Sequence, residues 1–121
     1  MAEGLSAAAA NSLLDTLLAA YPWVKLHIGA PGASATANAA TNTTRKQATW
    51  AASSGGASSN ATALSWTNVA GSEDYTHFSA WTASTAGSFG FSGTVTANAV
   101  TAGDDFTVAI GDLDVALTIA S

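Results

Sequence analysis

The most constraining feature of this chain is the run of short apolar alternations between positions 76 and 119. In its last segment every second residue is apolar, while Asp114, Ala116 and Thr118 occupy the positions between. Period-two alternation is typical of a strand that buries one face. The buried face is predicted to consist of Leu113, Val115, Leu117 and Ile119.

Clusters of small residues divide this region into hairpins. Residues 83–87 and 101–104 are rich in Gly, Ser, Thr, Ala and Asp, which favour turns. Apolar residues alternate on both sides of these turns, including Phe106, Val108 and Ile110. The predicted strands are 76–81, 88–92, 94–96, 106–110 and 113–119.

Residues 5–20 are predicted to form the one helix. A Leu stripe runs along a segment of good helix formers, with Ser6 as a candidate N-cap and Tyr21-Pro22 as the stop. The segment is too short for a membrane span and has no Lys or Arg before its apolar part, so we expect neither an anchor nor a secretory signal. The helix either packs beside the sheet or docks on a neighbouring subunit as an arm.

Further short strands are predicted at 23–28, 45–50 and 63–67, whereas residues 33–44 form a long loop without a pattern of their own. The fold class is therefore mainly β: a single antiparallel β-sandwich of seven or eight short strands with one N-terminal α-helix. We expect two units, a helical arm over residues 1–20 and the sandwich over residues 21–121.

Charged residues are unusually rare, at 9% against about 25% in ordinary soluble domains. Ala, Thr, Ser and Gly make up 70 of the 121 residues, which predicts a surface of small neutral groups suited to contact with other subunits. The net charge is −5, with Lys25, Arg45 and Lys46 as the only cations besides the two histidines. Binding to nucleic acid is not expected, because it requires several basic side chains.

No residue pattern indicates catalysis or metal binding. His27 and His77 are most simply strand residues with satisfied rings, and no Gly-x-Ser-x-Gly motif is present. Asp104 and Asp112 lie in predicted turns, where Asp bonds to the nearby backbone. We expect no enzyme activity, no catalytic residues, no cofactor and no metal. The absence of cysteine excludes thiol chemistry.

Four tryptophans, Trp23, Trp50, Trp66 and Trp81, are the largest side chains in a chain of small residues. They either supply volume to a core that is poor in Leu and Ile or form a stacking platform for sugar rings. If two of them share an exposed face, the domain is a candidate carbohydrate-binding module or fibre tip.

Six motifs follow one another along the chain, at 26–32, Arg45-Lys46-Gln47, 76–83, Gly87-Ser88-Phe89, 100–108 and 111–115. Their order resembles that of small virion proteins from tailed phages of actinobacteria, which are described as minor tail or tail-fibre-like proteins. The resemblance covers nearly the whole chain and implies a virion structural protein without catalytic residues.

Composition and resemblance together predict a non-enzymatic bacteriophage structural protein, made in the host cytoplasm and located in the virion at the head surface or tail. We expect first a capsid decoration protein that binds the particle as a homo-oligomer such as a trimer, because the chain has no coiled coil or repeat to build a fibre shaft. A minor tail or tail-fibre protein that contacts the host surface and a carbohydrate-binding module are the alternatives.

The expected partners are other copies of the chain, the major capsid protein or tail proteins, and a glycan of the host surface, but no membrane. The side chains expected to bind partners are Leu5, Leu13, Leu17, Arg45 and Lys46.

Overall fold

The structure, a computed structural model, describes residues 4–117, without the side chains of residues 96–98. This part of the chain contains one helix and eight strands, and every strand pair is antiparallel. In chain order the elements are α1 (Ala7–Ala20), β1 (Trp23–His27), β2 (Lys46–Gln47), β3 (Ala57–Ser59), β4 (Leu64–Trp66), β5 (Glu73–Trp81), β6 (Phe89–Val100), β7 (Phe106–Val108) and β8 (Asp114–Ala116).

The helix begins and ends where the sequence predicts. The Ser6 hydroxyl accepts a hydrogen bond from the Ala9 N–H at 3.1 Å, and the helix stops one residue before the Tyr21-Pro22 pair. One face of α1, made of Ala10, Leu14 and Leu18, is buried. The remaining residues of α1 are exposed or half-buried, so the helix packs on the domain with its other side towards solvent.

The strands form one four-stranded sheet and two ribbons. The sheet order is β2-β1-β5-β6, and the ribbons pair β3 with β8 and β4 with β7. The prediction of a mainly β, antiparallel fold with one N-terminal helix is confirmed, although a single sandwich is an approximation. The core between these layers contains Val24, Leu26, Trp66, Tyr75, Phe78, Phe106, Val108 and Leu113.

Several strand boundaries differ from the predictions. The predicted strand 45–50 is reduced to β2, and Trp50 makes only an isolated bridge to Asn60. Strand β3 was not predicted, since its Ala and Ser residues resemble a turn. The two predicted strands 88–92 and 94–96 are one continuous strand, β6, which passes through Gly93 without a break.

Two apolar alternations are only partly buried. The prediction for Ile110 is wrong: its side chain is 67% exposed, because β7 ends at Val108 and the chain turns. In the last segment Leu113 is fully buried, but Val115 and Leu117 are half-buried. Ile119 lies outside the described residues.

The long loop 33–44 folds back along β1. The Ile28 N–H donates to the Asn38 carbonyl at 2.8 Å, and the Ala40 N–H donates to the Leu26 carbonyl at 3.3 Å. Ala35 and Ala40 are buried. The loop therefore has fixed contacts within the domain and covers one end of the four-stranded sheet.

Candidate binding surface

Strand register divides the four-stranded sheet into an inner and an outer face. Val24 and Leu26 on β1 belong to the core, so the residues that alternate with them face away from it. Directly opposite residues of paired strands share a face, and Trp23 pairs with Trp81. We define the outer sheet face by these residues: Trp23, Lys25, His27, His77, Ser79, Trp81 and Phe89.

A β-bulge at Gly90 brings Phe89 to the outer sheet face. In a regular strand Phe89 and Phe91 would share a face, as their spacing in the sequence suggests. The register instead pairs Phe89 with Trp81 and Phe91 with Ala80, because the bulge inserts Gly90 between them. Phe91 accordingly packs edge-on against Phe78 in the interior, at 6.1 Å between ring centroids.

Arg45 and two aromatic rings form a layered cluster on this face. The Arg45 guanidinium lies 4.2 Å from the centre of the Trp81 ring, within the range of a cation–π interaction. The Phe89 ring lies 5.6 Å from Trp81. Arg45 Nη1 also donates to the carbonyls of Ala83 and Ala86, at 2.9 and 2.7 Å, so it fixes the turn of the β5–β6 hairpin.

Lys25 adds a second positive charge to the same face. Burial lowers the pKa of the Lys25 ammonium below its usual value, and repulsion from Arg45 lowers it further. Lys25 lies between Trp23 and His27 on β1, and Arg45 lies over Trp81, the partner of Trp23, so two of the three Lys and Arg residues of a chain with net charge −5 are on this face. This concentration of charge is not visible in the sequence, where positions 25 and 45 belong to separate elements.

A chain of hydrogen bonds runs along the outer sheet face to the loop 33–44, which covers one end of that face. Trp81 Nε1 donates to Ser79 Oγ at 2.7 Å, and Ser79 Oγ lies 2.8 Å from His27 Nε2. His27 Nδ1 lies 3.0 Å from the Ala37 carbonyl, which can only accept, so Nδ1 carries the proton and Nε2 accepts from the Ser79 hydroxyl. Both His27 and Ser79 are completely buried. The chain links Trp81 to the loop 33–44.

This arrangement suits a neutral imidazole. Burial lowers the pKa of His27 below its usual value, although the hydrogen bond to the Ala37 carbonyl acts in the opposite direction. The interpretation of His27 as a strand residue with a satisfied ring is confirmed. His77 is its cross-strand partner, with Nδ1 at 2.8 Å from Thr76 Oγ1.

Among the predicted turn aspartates, Asp104 bonds to nearby backbone as expected, whereas the neighbouring Asp105 bonds to a segment 37 positions away. Asp104 Oδ2 accepts from the Thr101 N–H and Asp105 Oδ1 accepts from the Asn68 N–H, both at 3.1 Å. Within residues 4–117 no three His, Asp or Glu side chains gather as metal ligands.

The residues predicted to bind partners have different neighbours. Leu5 and Leu13 are exposed, at 37% and 54%, while Leu17 is half-buried on the same helix. Arg45 belongs to the aromatic cluster described above. Lys46 pairs with Val24 at the sheet edge and lines a separate small cleft beside Trp66. The helix and the two cations therefore offer distinct surfaces.

The structure divides the tryptophans between the two roles. Trp66 is fully buried in the core, where it packs against Phe106. Trp50 is half-buried and packs against Phe91. Trp23 and Trp81 are half-buried and share the outer sheet face. The condition set for a sugar-stacking surface was two tryptophans on one exposed face. Trp23 and Trp81 share a face, but each is half-buried and not exposed, so the condition is met only in part.

Comparison with known proteins then gives the family. The model of the family described as Podophage GP4 fiber I protein gp80 matches residues 4–116, which is nearly the entire chain. The chain belongs to this family. As a member of the gp80 fibre family it is a bacteriophage structural protein and a virion component, which confirms the coarser part of the predicted function. Among curated proteins none matches the sequence. The one described helix is not long and apolar enough to cross a membrane.

Proposed function

We propose that this protein is a non-enzymatic component of a phage tail fibre that contacts the host surface. The observation that carries the proposal is the match to a fibre family over residues 4–116. It favours the tail-fibre alternative over capsid decoration, which the sequence analysis placed first. The actinobacterial host remains a prediction from the resemblance.

The location in the particle is the direct test. We expect gold-labelled antibodies raised against this chain to bind purified phage particles at the tail. Pre-adsorption of the antibodies with the purified protein should remove the label. Gold particles spread over the capsid would contradict the fibre proposal and support decoration instead.

We further propose that the protein assembles as a homo-oligomer, such as a trimer, through the outward face of α1. Leu13 is 54% exposed, and Leu5, which lies just before the helix, is 37% exposed. Exposed leucines on a charge-poor surface lose unfavourable hydration when a second copy covers them. The division into an arm, 1–20, and a body, 21–121, depends on this contact and is proposed with it.

Substitution Leu13→Glu should convert the oligomer to a monomer, since a charge would be placed at the centre of the proposed contact. Light scattering coupled to size-exclusion chromatography measures the mass. Ser84→Glu is the matched control, because it adds the same charge at an exposed position in the turn between β5 and β6, outside α1. A monomeric parent protein, or equal effects of both substitutions, would contradict the proposed interface.

A further inference from the structure

Building on the proposed fibre function, we propose that the outer sheet face binds an acidic polysaccharide. Its sugar rings would pack on the aromatic side chains, and its acidic groups would pair with Lys25 and Arg45. The surface is new relative to the family match, which names a fibre but no ligand and no residue.

The aromatic part of the surface supplies area for stacking. Trp23 and Trp81 are cross-strand partners, and Phe89 packs beside Trp81. All three residues are half-buried, so each leaves part of its surface in contact with solvent, while the Arg45 guanidinium lies over one face of the Trp81 ring. A pyranose ring has a face of C–H groups that gains contact area on such rings, while its hydroxyl groups stay in water.

The distribution of charge on the protein favours an acidic polysaccharide over a neutral one as the ligand of this face. The chain carries eight acidic residues and three Lys and Arg residues, and two of these three, Lys25 and Arg45, lie on this face. An acidic polymer is repelled by the rest of the protein and attracted here, which directs it to one surface. A neutral sugar would leave both cations without a counter-charge.

Arg45 keeps donors available despite its structural contacts. Both described hydrogen bonds of its guanidinium, to Ala83 and Ala86, come from Nη1. A guanidinium has five N–H groups in a planar fork, so the Nη2 and Nε groups are the ones that can bind a ligand carboxylate. The stacking on Trp81 holds this fork in place beside the aromatic rings.

A second copy of the chain fits this face poorly. A two-fold symmetric contact brings the same patch of both subunits together, so Lys25 and Arg45 of one copy would approach the same residues of the other. Like charges across an interface cost binding energy. The helix face, which is apolar, has no such cost and is the proposed contact between copies.

The test uses alginate, a polymer of uronic acids, with intrinsic tryptophan fluorescence and analytical ultracentrifugation as readouts. We expect saturable binding of the full-length protein at physiological salt. Lys25→Gln should weaken this binding by about tenfold, the effect of losing one charge-assisted hydrogen bond. Lys46→Gln is the matched control, since it removes the same charge from the cleft beside Trp66 and should bind alginate like the parent.

Two further ligands and one further variant test the charged and the aromatic parts of the surface separately. Dextran, a neutral sugar polymer, and polyglutamate, an acidic polymer without sugar rings, should each bind far more weakly than alginate. Trp81→Leu should also reduce alginate binding, with its thermal melting measured to confirm folding; if it does not fold, the Lys25 and Lys46 pair carries the test.

Equal losses in the Lys25 and Lys46 variants, or polyglutamate binding as tight as alginate, would overturn the proposal in favour of unspecific charge attraction. Absence of alginate binding would also overturn it. The gold-labelling experiment is independent of these results, since a protein located at the tail that ignores alginate refutes the ligand and leaves the fibre assignment intact.

Discussion

Replacing Asn60 with alanine should lower the free energy of unfolding by about 2 to 4 kcal/mol, because the buried Leu113 N–H and two partly buried carbonyls lose their partner. Asn60 is 1% exposed, and its Oδ1 accepts from the Leu113 N–H at 2.9 Å. Its Nδ2 donates to the carbonyls of Thr62 and Ala109, at 2.8 and 3.0 Å. One amide therefore joins the β3–β4 connection to the turn that follows β7.

Denaturation in guanidinium chloride, followed by tryptophan fluorescence, measures this loss. Asn42→Ala is the control, since that half-buried amide accepts only a long bond of 3.3 Å from the Thr44 N–H and otherwise contacts the Tyr75 hydroxyl. Asn60→Asp separates the two halves of the amide: it keeps the acceptor but places a carboxylate oxygen against two carbonyls. We expect Asn60→Asp to be at least as destabilising as alanine. A cost near that of Asn42→Ala would show that water replaces the amide.

Local signals allowed the helix and β1 to be predicted from the sequence. Ser6, the Leu spacing and Pro22 each act within a few residues, so their effect does not depend on the rest of the fold. The β5–β6 hairpin was also predictable, because small residues separate two strongly apolar segments. Of these elements, β1 and β5 form the centre of the four-stranded sheet and β6 forms one edge.

The features that could not be predicted from the sequence depend on contacts between residues that are far apart along the chain. Strand β3 has only Ala and Ser, and it is a strand because β8, more than fifty positions away, pairs with it. The importance of Asn60 depends likewise on Leu113 and Ala109. In the sequence it appears in a segment typical of turns, and nothing local distinguishes it from other asparagines.

The sequence predicted a binding surface only conditionally, because it does not show which residues share the outer sheet face. The sequence contains four tryptophans and few cations. A sugar-binding surface was predicted only if two of the tryptophans lie on one exposed face. The register that pairs Trp23 with Trp81, and the position of Arg45 over that ring, come from tertiary structure. The bulge at Gly90 was equally hidden, since Phe89 and Phe91 have the spacing of a regular strand.

Gly90→Ala should destabilise the protein by about 3 kcal/mol, because a methyl group at this position would overlap the ring of Tyr21. The nearest ring atoms are those at the base of the Tyr21 side chain, which move only if Tyr21 changes its χ1 rotamer or the backbone between α1 and β1 shifts. Gly71→Ala is the matched control: its added carbon would meet Thr41 and Glu73 at 3.5 to 3.7 Å, an ordinary contact distance. We expect that control to be neutral or slightly stabilising.

A double-mutant cycle with Tyr21→Ala identifies the cause. If the overlap with the ring is responsible, Gly90→Ala should cost much less in the Tyr21→Ala background than in the parent, and the difference is the coupling energy between the two positions. An equal cost in both backgrounds would place the strain in the bulge itself. Because the bulge sets Phe89 against Trp81, a Gly90→Ala protein that still folds should then also bind alginate more weakly, which connects the packing of Tyr21 in the interior to the proposed ligand surface outside.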